Sequence, residues 1–194
     1  MTLRVLHCPS SIGGNPQGLA RAERELGLES LAVILRSNPF GYPADETIFY
    51  GNRLLDTLSR RKFVRRMESD FDVIHYNFGS SVHAWRIDPT RSCRRLLTAV
   101  VRAYNFFIGS RFELSDLARM RKAGKVICVT YQGDDARQGD VSRQRYDLHA
   151  VHELEPDYYT PWSDCAKRER IRVFARHADY FYALNPDLLG FLPE

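Results

Sequence analysis

The sequence predicts a doubly wound, mostly parallel α/β sheet with helices on both faces. Two observations carry this. Runs that are apolar almost throughout, at 5–8 (VLHC), 30–35 (SLAVIL) and 126–131 (VICVTY), alternate with stretches of helical periodicity. Polar turn residues stand directly after these runs, at the edge where a parallel sheet binds its ligands.

Residues 2–8 read as the first strand, ended by Pro9 and a loop of Ser, Gly, Asn and Pro. Residues 17–28 predict a helix: Leu19, Ala22, Glu23 and Leu26 fall at helical spacing, and Gly27 marks its end. Residues 30–35 are a second strand and 47–50 a short third. Residues 52–67 predict a basic amphipathic helix, with Leu54, Leu55, Leu58, Phe63, Val64 and Met67 on one side. Strands follow at 72–76, 125–131 and 179–184. The segment 94–108 is too short to cross a bilayer, apolar on much of its circumference, and flanked by Arg91, Arg94, Arg95 and Arg111. It reads as a core helix of the same sheet; the alternative is an interfacial helix dipping into headgroups. Right-handed crossovers between such strands give a Rossmann-like fold.

The length of 194 residues suits a single domain, 1–194. With 44% apolar and 27% charged residues the chain is globular rather than disordered. It contains no run of eighteen apolar residues, and its N-terminus has no long apolar stretch of the secretory kind. Cys8, Cys93, Cys128 and Cys165 are far apart with no C-x-x-C pair. Free thiols in a reducing, cytoplasmic setting are expected, without disulfides or zinc. The net charge of +4 is uneven: residues 53–125 hold sixteen Lys/Arg against seven Asp/Glu, and the rest twelve against seventeen. Of the 28 basic residues, 24 are Arg, which suits bidentate phosphate contacts. The basic stretch fits a phosphorylated substrate or an anionic membrane surface, with Arg60, Arg61, Arg65 and Arg66 as membrane-facing candidates. No nucleic-acid-binding module is recognisable, so no nucleic-acid partner is expected.

Four strand ends carry polar turns. Ser11-Ile-Gly-Gly-Asn15 precedes a helix, so amides at Gly13, Gly14 and Asn15 are candidates for an anion loop. Neither G-x-G-x-x-G nor the Walker motif occurs, which excludes ordinary nicotinamide and P-loop nucleotide sites. His75 ends a strand, where it can contact a sugar hydroxyl or relay a proton, and Tyr76 can stack on a sugar face. Gln132, Gly133, Asp134, Asp135 and Arg137 form the densest polar cluster, with carboxylates for hydroxyls and an Arg for phosphate. The adjacent carboxylates lack D-x-D spacing, and His149 and His152 have no third ligand, so no metal is read.

These segments resemble the N-terminal half of a GT-B glycosyltransferase of the retaining class called family 4. Leu3–Cys8 with Gly13-Gly14 looks like that family's first strand and Gly-Gly loop. The stretch 72–79 resembles its histidine-containing strand end, 116–137 its helix, strand and G-x-D-x-R loop, and 178–188 its segment before the hinge. Gln132 and Asn77 stand where the family often has His. The resemblance implies transfer of a sugar from a nucleotide-sugar donor to a hydroxyl of a sugar or lipid-linked acceptor, with retention. His75, Tyr76, Asn77, Gln132, Gly133, Asp134, Asp135 and Arg137 would line the acceptor side. Gly13, Gly14 and Asn15 would face the donor phosphates. No cofactor or metal is implied, and no catalytic residue is assigned. The C-terminal donor domain is absent from these 194 residues and would act in cis or in trans, leaving the isolated chain inactive. The alternative is a stand-alone, non-catalytic α/β binding or scaffold protein. A cytoplasmic location is expected, with membrane association as an option.

Overall fold

The computed structural model describes residues 2–36, 40–48, 53–84, 86–89, 95–155 and 157–193, with backbone alone at 53, 54 and 95. In chain order run β1 (Arg4–Cys8), α1 (Asn15–Glu25), β2 (Glu29–Ile34), β3 (Glu46–Thr47), α2 (Arg53–Asp70) and β4 (Val73–Asn77). Then come α3 (Arg95–Tyr104), a π-helical turn (Asn105–Gly109), α4 (Ser110–Phe112), α5 (Ser115–Lys122) and β5 (Val126–Tyr131). The chain continues with α6 (Gly139–Arg145), α7 (Pro161–His177) and β6 (Tyr180–Ala183). The strands form one sheet in the order β3-β2-β1-β4-β5-β6, and every pairing is parallel. This is the doubly wound, Rossmann-like arrangement expected from the sequence. Phe49, Tyr50, Asn52, Arg91, Cys93 and Arg94, which figure in the sequence reading, lie outside the described residues.

Register sorts the two faces. Leu6, Ile74 and Ile127 align on one, His7, His75 and Cys128 on the other. The first face is the core: α2 packs Phe63, Val64 and Met67 on it, α5 Leu117 and Met120, and α7 Ile171 and Phe174. Each such side chain contributes about 2 kcal/mol through lost apolar exposure. Helix α7 starts where its sequence says it should. Pro161 holds the first turn, and the Thr160 hydroxyl accepts the Ser163 amide at 3.1 Å.

The second face is covered by α1 over β1 and β2. Its inward residues are Pro16, Ala20 and Glu23, not the expected Leu19 and Leu26, which are exposed. The sheet explains the difference. His7 and Ser30 line it here, and the Glu23 carboxylate accepts from His7 Nε2 at 2.8 Å and from Ser30 Oγ at 2.7 Å. A carboxylate and an alanine fit that surface; leucines do not. Over β6 the same face lies open, with Tyr180 and Tyr182 exposed.

Two further expectations are corrected. Phe63, Val64 and Met67 of α2 are buried, but Leu55 and Leu58 are exposed. Eighteen residues of helix span about 27 Å, whereas a five-residue strand spans about 17 Å, so the first turns overshoot the sheet. The segment 94–108 is not a core helix: α3 and the π turn expose Leu96, Val100, Phe106 and Phe107. The core face is already occupied by α2, α5 and α7.

Candidate functional site

The strand order reverses between β1 and β4, which opens a crevice beyond their carboxyl ends. A cleft of about 840 Å³ lies there. Pro9 to Gly13 line it from the turn after β1, Leu35 and Arg36 from the turn after β2. Phe78, Ser80 and Ser81 line it from the turn after β4, and Arg60 reaches it from the overshooting part of α2. With Arg86, three arginines and no carboxylate line the cleft among the described residues. Arg60 Nη1 donates to the Val82 carbonyl at 2.8 Å, which fixes its direction. Burial lowers the Arg60 pKa from its ordinary value and the Arg36 charge pushes the same way, opposed by the Asp56 and Asp116 carboxylates. Arg86 is ion-paired with Glu169 from behind.

The turn after β4 is shaped by residues far along the chain. Asp116, in the first turn of α5, is fully buried. It accepts the Ser81 hydroxyl at 2.6 Å, the Tyr76 hydroxyl at 3.1 Å and the Val82 amide at 3.1 Å. Phe78 stands at φ 61°, the left-handed region, which costs a non-glycine residue about 1 kcal/mol. Gly79 follows at φ 48°, and a Cβ there would lie 2.6 Å from Tyr131 Cε1, so only glycine fits.

The Gly-Gly loop faces the cleft at Gly13, and Gly13 and Gly14 both adopt φ 69°. Asn15 Nδ2 donates to Gln132 Oε1 at 3.3 Å, and Asn185 Nδ2 donates to the Gln132 carbonyl at 3.2 Å. A Cβ on Gly79 would sit 3.5 Å from Asp135. The turns after β1, β4, β5 and β6 therefore meet along one edge. Gln132 Nε2 is buried with no partner among the described residues.

The rest of the polar cluster turns inward on itself. The Asp135 carboxylate accepts the Gly133 amide at 2.7 Å and the Gln132 amide at 3.0 Å, and closes the turn. Burial raises its pKa, opposed by those amides. Asp134 accepts from Lys167 at 3.2 Å. Arg137 grips Asp187 through two bonds, at 2.8 and 3.2 Å, and its Nη1 would lie 3.0 Å from a Cβ on Gly133.

His75, Tyr76 and Asn77 are not among the residues that line the cleft. Strand β4 runs to Asn77, so ligand-facing backbone starts only at Phe78. His75 sits mid-strand with Nε2 2.7 Å from Thr130 Oγ1, and burial pushes its pKa down to about 4. The imidazole is neutral at neutral pH and poorly placed for proton relay. Tyr76 points into the core, where burial raises its pKa, and Asn77 Nδ2 donates to the His75 carbonyl at 3.1 Å. His149 Nδ1 accepts the Val151 amide and His152 Nε2 donates to the Tyr146 carbonyl, so each ring is engaged locally. Among the described residues no group of three or more His, Cys, Asp and Glu could hold a metal ion.

Arg36, Arg86 and the supporting Asp116 are not among the site residues expected from the sequence, which sets Arg60 against a membrane and gives Ser80 and Ser81 only as part of a polar turn. Arg36 and the serines had a usable signal, since each closely follows an apolar strand. Arg60, Arg86 and Asp116 had none. No family model, curated protein or solved structure matches the chain.

Proposed function

We propose that this chain is the acceptor-binding half of a retaining GT-B sugar transferase, and that its switch-point cleft holds a phosphorylated acceptor. The observation that supports this most is the cleft lining, which among the described residues holds three arginines and no carboxylate. In this reading Arg36 and Arg60 hold the phosphate, and the aromatic wall of Phe40, Tyr42 and Phe78 flanks the sugar. Gly13 lines the cleft beside the Asn15 and Gln132 side chains, where a donor diphosphate would meet amide dipoles. Positioning and electrostatic stabilisation of the leaving diphosphate would supply the rate, with the donor half acting in cis or in trans.

A second reading, a non-catalytic binding protein, draws on Asp134, Asp135 and Arg137 being engaged within the protein. Calorimetric titration separates the two. A hexose phosphate should bind more tightly than inorganic phosphate, and Arg60→Ala should weaken it about tenfold, the value of a charge-assisted hydrogen bond. Equal binding of both anions favours the second reading. No binding of either removes both.

A further inference from the structure

Exposed apolar side chains cluster on α3 and the π turn. Leu96 is 86% exposed, Phe106 78%, Phe107 68% and Val100 64%, with Leu97 and Ile108 also exposed. Leu96, Leu97, Val100 and Arg102 are exposed along α3. The stripe turned toward the protein is the half-buried Thr98, Val101 and Tyr104. Water around so many leucines and phenylalanines is costly, so this face has an occupant.

Charge identifies the occupant. Residues 95–112 contain three arginines and no carboxylate, and Arg102 and Arg111 are exposed at the rim. A second copy meeting this face through a twofold axis would set arginine against arginine. An anionic bilayer instead takes the apolar side chains into its acyl boundary and the guanidinium groups onto its headgroups. No helix among the described residues is long and apolar enough to cross a membrane, which leaves docking on the surface.

The patch is rigidly attached to the cleft wall. Asn105 sits at the base of the π turn, with its side-chain amide pairing both backbone groups of Ile87 at 3.0 and 2.6 Å. The Arg86 amide donates to Glu113 at 2.9 Å, and a Cβ on Gly109 would come 3.6 Å from Arg86 Cα. Arg86 lines the cleft.

We propose that Leu96, Leu97, Val100, Phe106, Phe107 and Ile108 dock this chain on an anionic lipid surface, next to the cleft wall. This inference stands on the patch alone and does not depend on the ligand of the cleft. The test is co-sedimentation with vesicles of phosphatidylcholine, and of equal parts phosphatidylcholine and phosphatidylglycerol. The protein should pellet with the anionic vesicles and much less with the neutral ones. Phe106→Ser with Phe107→Ser should weaken pelleting about tenfold or more, given the apolar surface withdrawn from the acyl region. Leu96→Gln with Val100→Gln should act in the same direction. All four side chains are solvent-facing, so the melting temperature should hold, and whichever pair folds carries the test. Arg60→Ala should leave pelleting unchanged, which separates this inference from the cleft reading. Three results overturn the proposal: no pelleting, pelleting indifferent to both pairs, or equal pelleting with neutral vesicles. A dimer that the double variants convert to monomer also overturns it, by assigning the face to a second copy.

Discussion

Two neighbouring turns leave the carboxyl edge of the sheet and behave oppositely. The turn after β5 is rich in charge, yet Asp134, Asp135 and Arg137 each find a partner inside the protein. The turn after β4 is made of Phe, Gly and Ser, and it forms a wall of the cleft. The difference teaches that charge density in a turn signals how the turn is held as often as what it holds. The open turn is braced from elsewhere, by Asp116 of α5, and its small side chains leave room for arginines from other elements.

The comparison can be broken at its brace. Asp116→Ala leaves the Ser81 and Tyr76 hydroxyls and the Val82 amide without their shared acceptor. A loss of about 4 kcal/mol in urea unfolding is expected, together with loss of anion binding in the cleft. Normal binding to Asp116→Ala would mean that the turn holds its shape unaided.

The sheet beneath both turns sharpens it through pH. His75 is neutral in the fold with a pKa of about 4, whereas the unfolded ring titrates near its ordinary value. The unfolded state therefore binds the extra proton first as pH falls. Stability should drop by about 3 kcal/mol between roughly pH 6.5 and 4 and gain nothing from this group above that window. In His75→Gln the slope in that window should flatten. A profile as steep as the parent's would place the acid sensitivity elsewhere.

Gly79→Ala attacks the open turn from its backbone, with a positive φ and a Tyr131 ring in the way. It should cost about 2 kcal/mol by thermal or urea melts, half that of the Asp116 variant. The smallest effect belongs to the closed turn. Arg137→Ala removes a half-exposed pair with Asp187 and should cost under about 1 kcal/mol. Anion affinity in the cleft should be unchanged by it; a tenfold loss would return Arg137 to the ligand site.

Much of this fold was legible along the chain. Five strands fall close to the runs that predict them, because an apolar parallel strand leaves a local mark, while the third overlaps its expected 47–50 only at Thr47. Helix faces were less legible. Leu19 and Leu26 share a helical spacing with Glu23, but of these Glu23 is the one that meets His7 and Ser30 on the sheet. The Gly-Gly turn was found, since its glycines serve a local backbone need. His75, Tyr76 and Asn77 belong to strand β4 itself while the cleft lining begins at Phe78, because polarity alone does not tell a strand's last residues from its first turn residues.

By itself the sequence determined the class of the molecule: alternating buried strands and amphipathic helices have a parallel, right-handed solution. It also determined which turns carry glycine and which carry charge. Only the tertiary structure decided that Arg36, Arg60 and Arg86 share one cleft, and that the helix at 95–104 stays outside the core. Periodicity reports what a residue needs from its immediate surroundings. Which distant residues supply those surroundings depends on strand order, register and the space other helices have already filled.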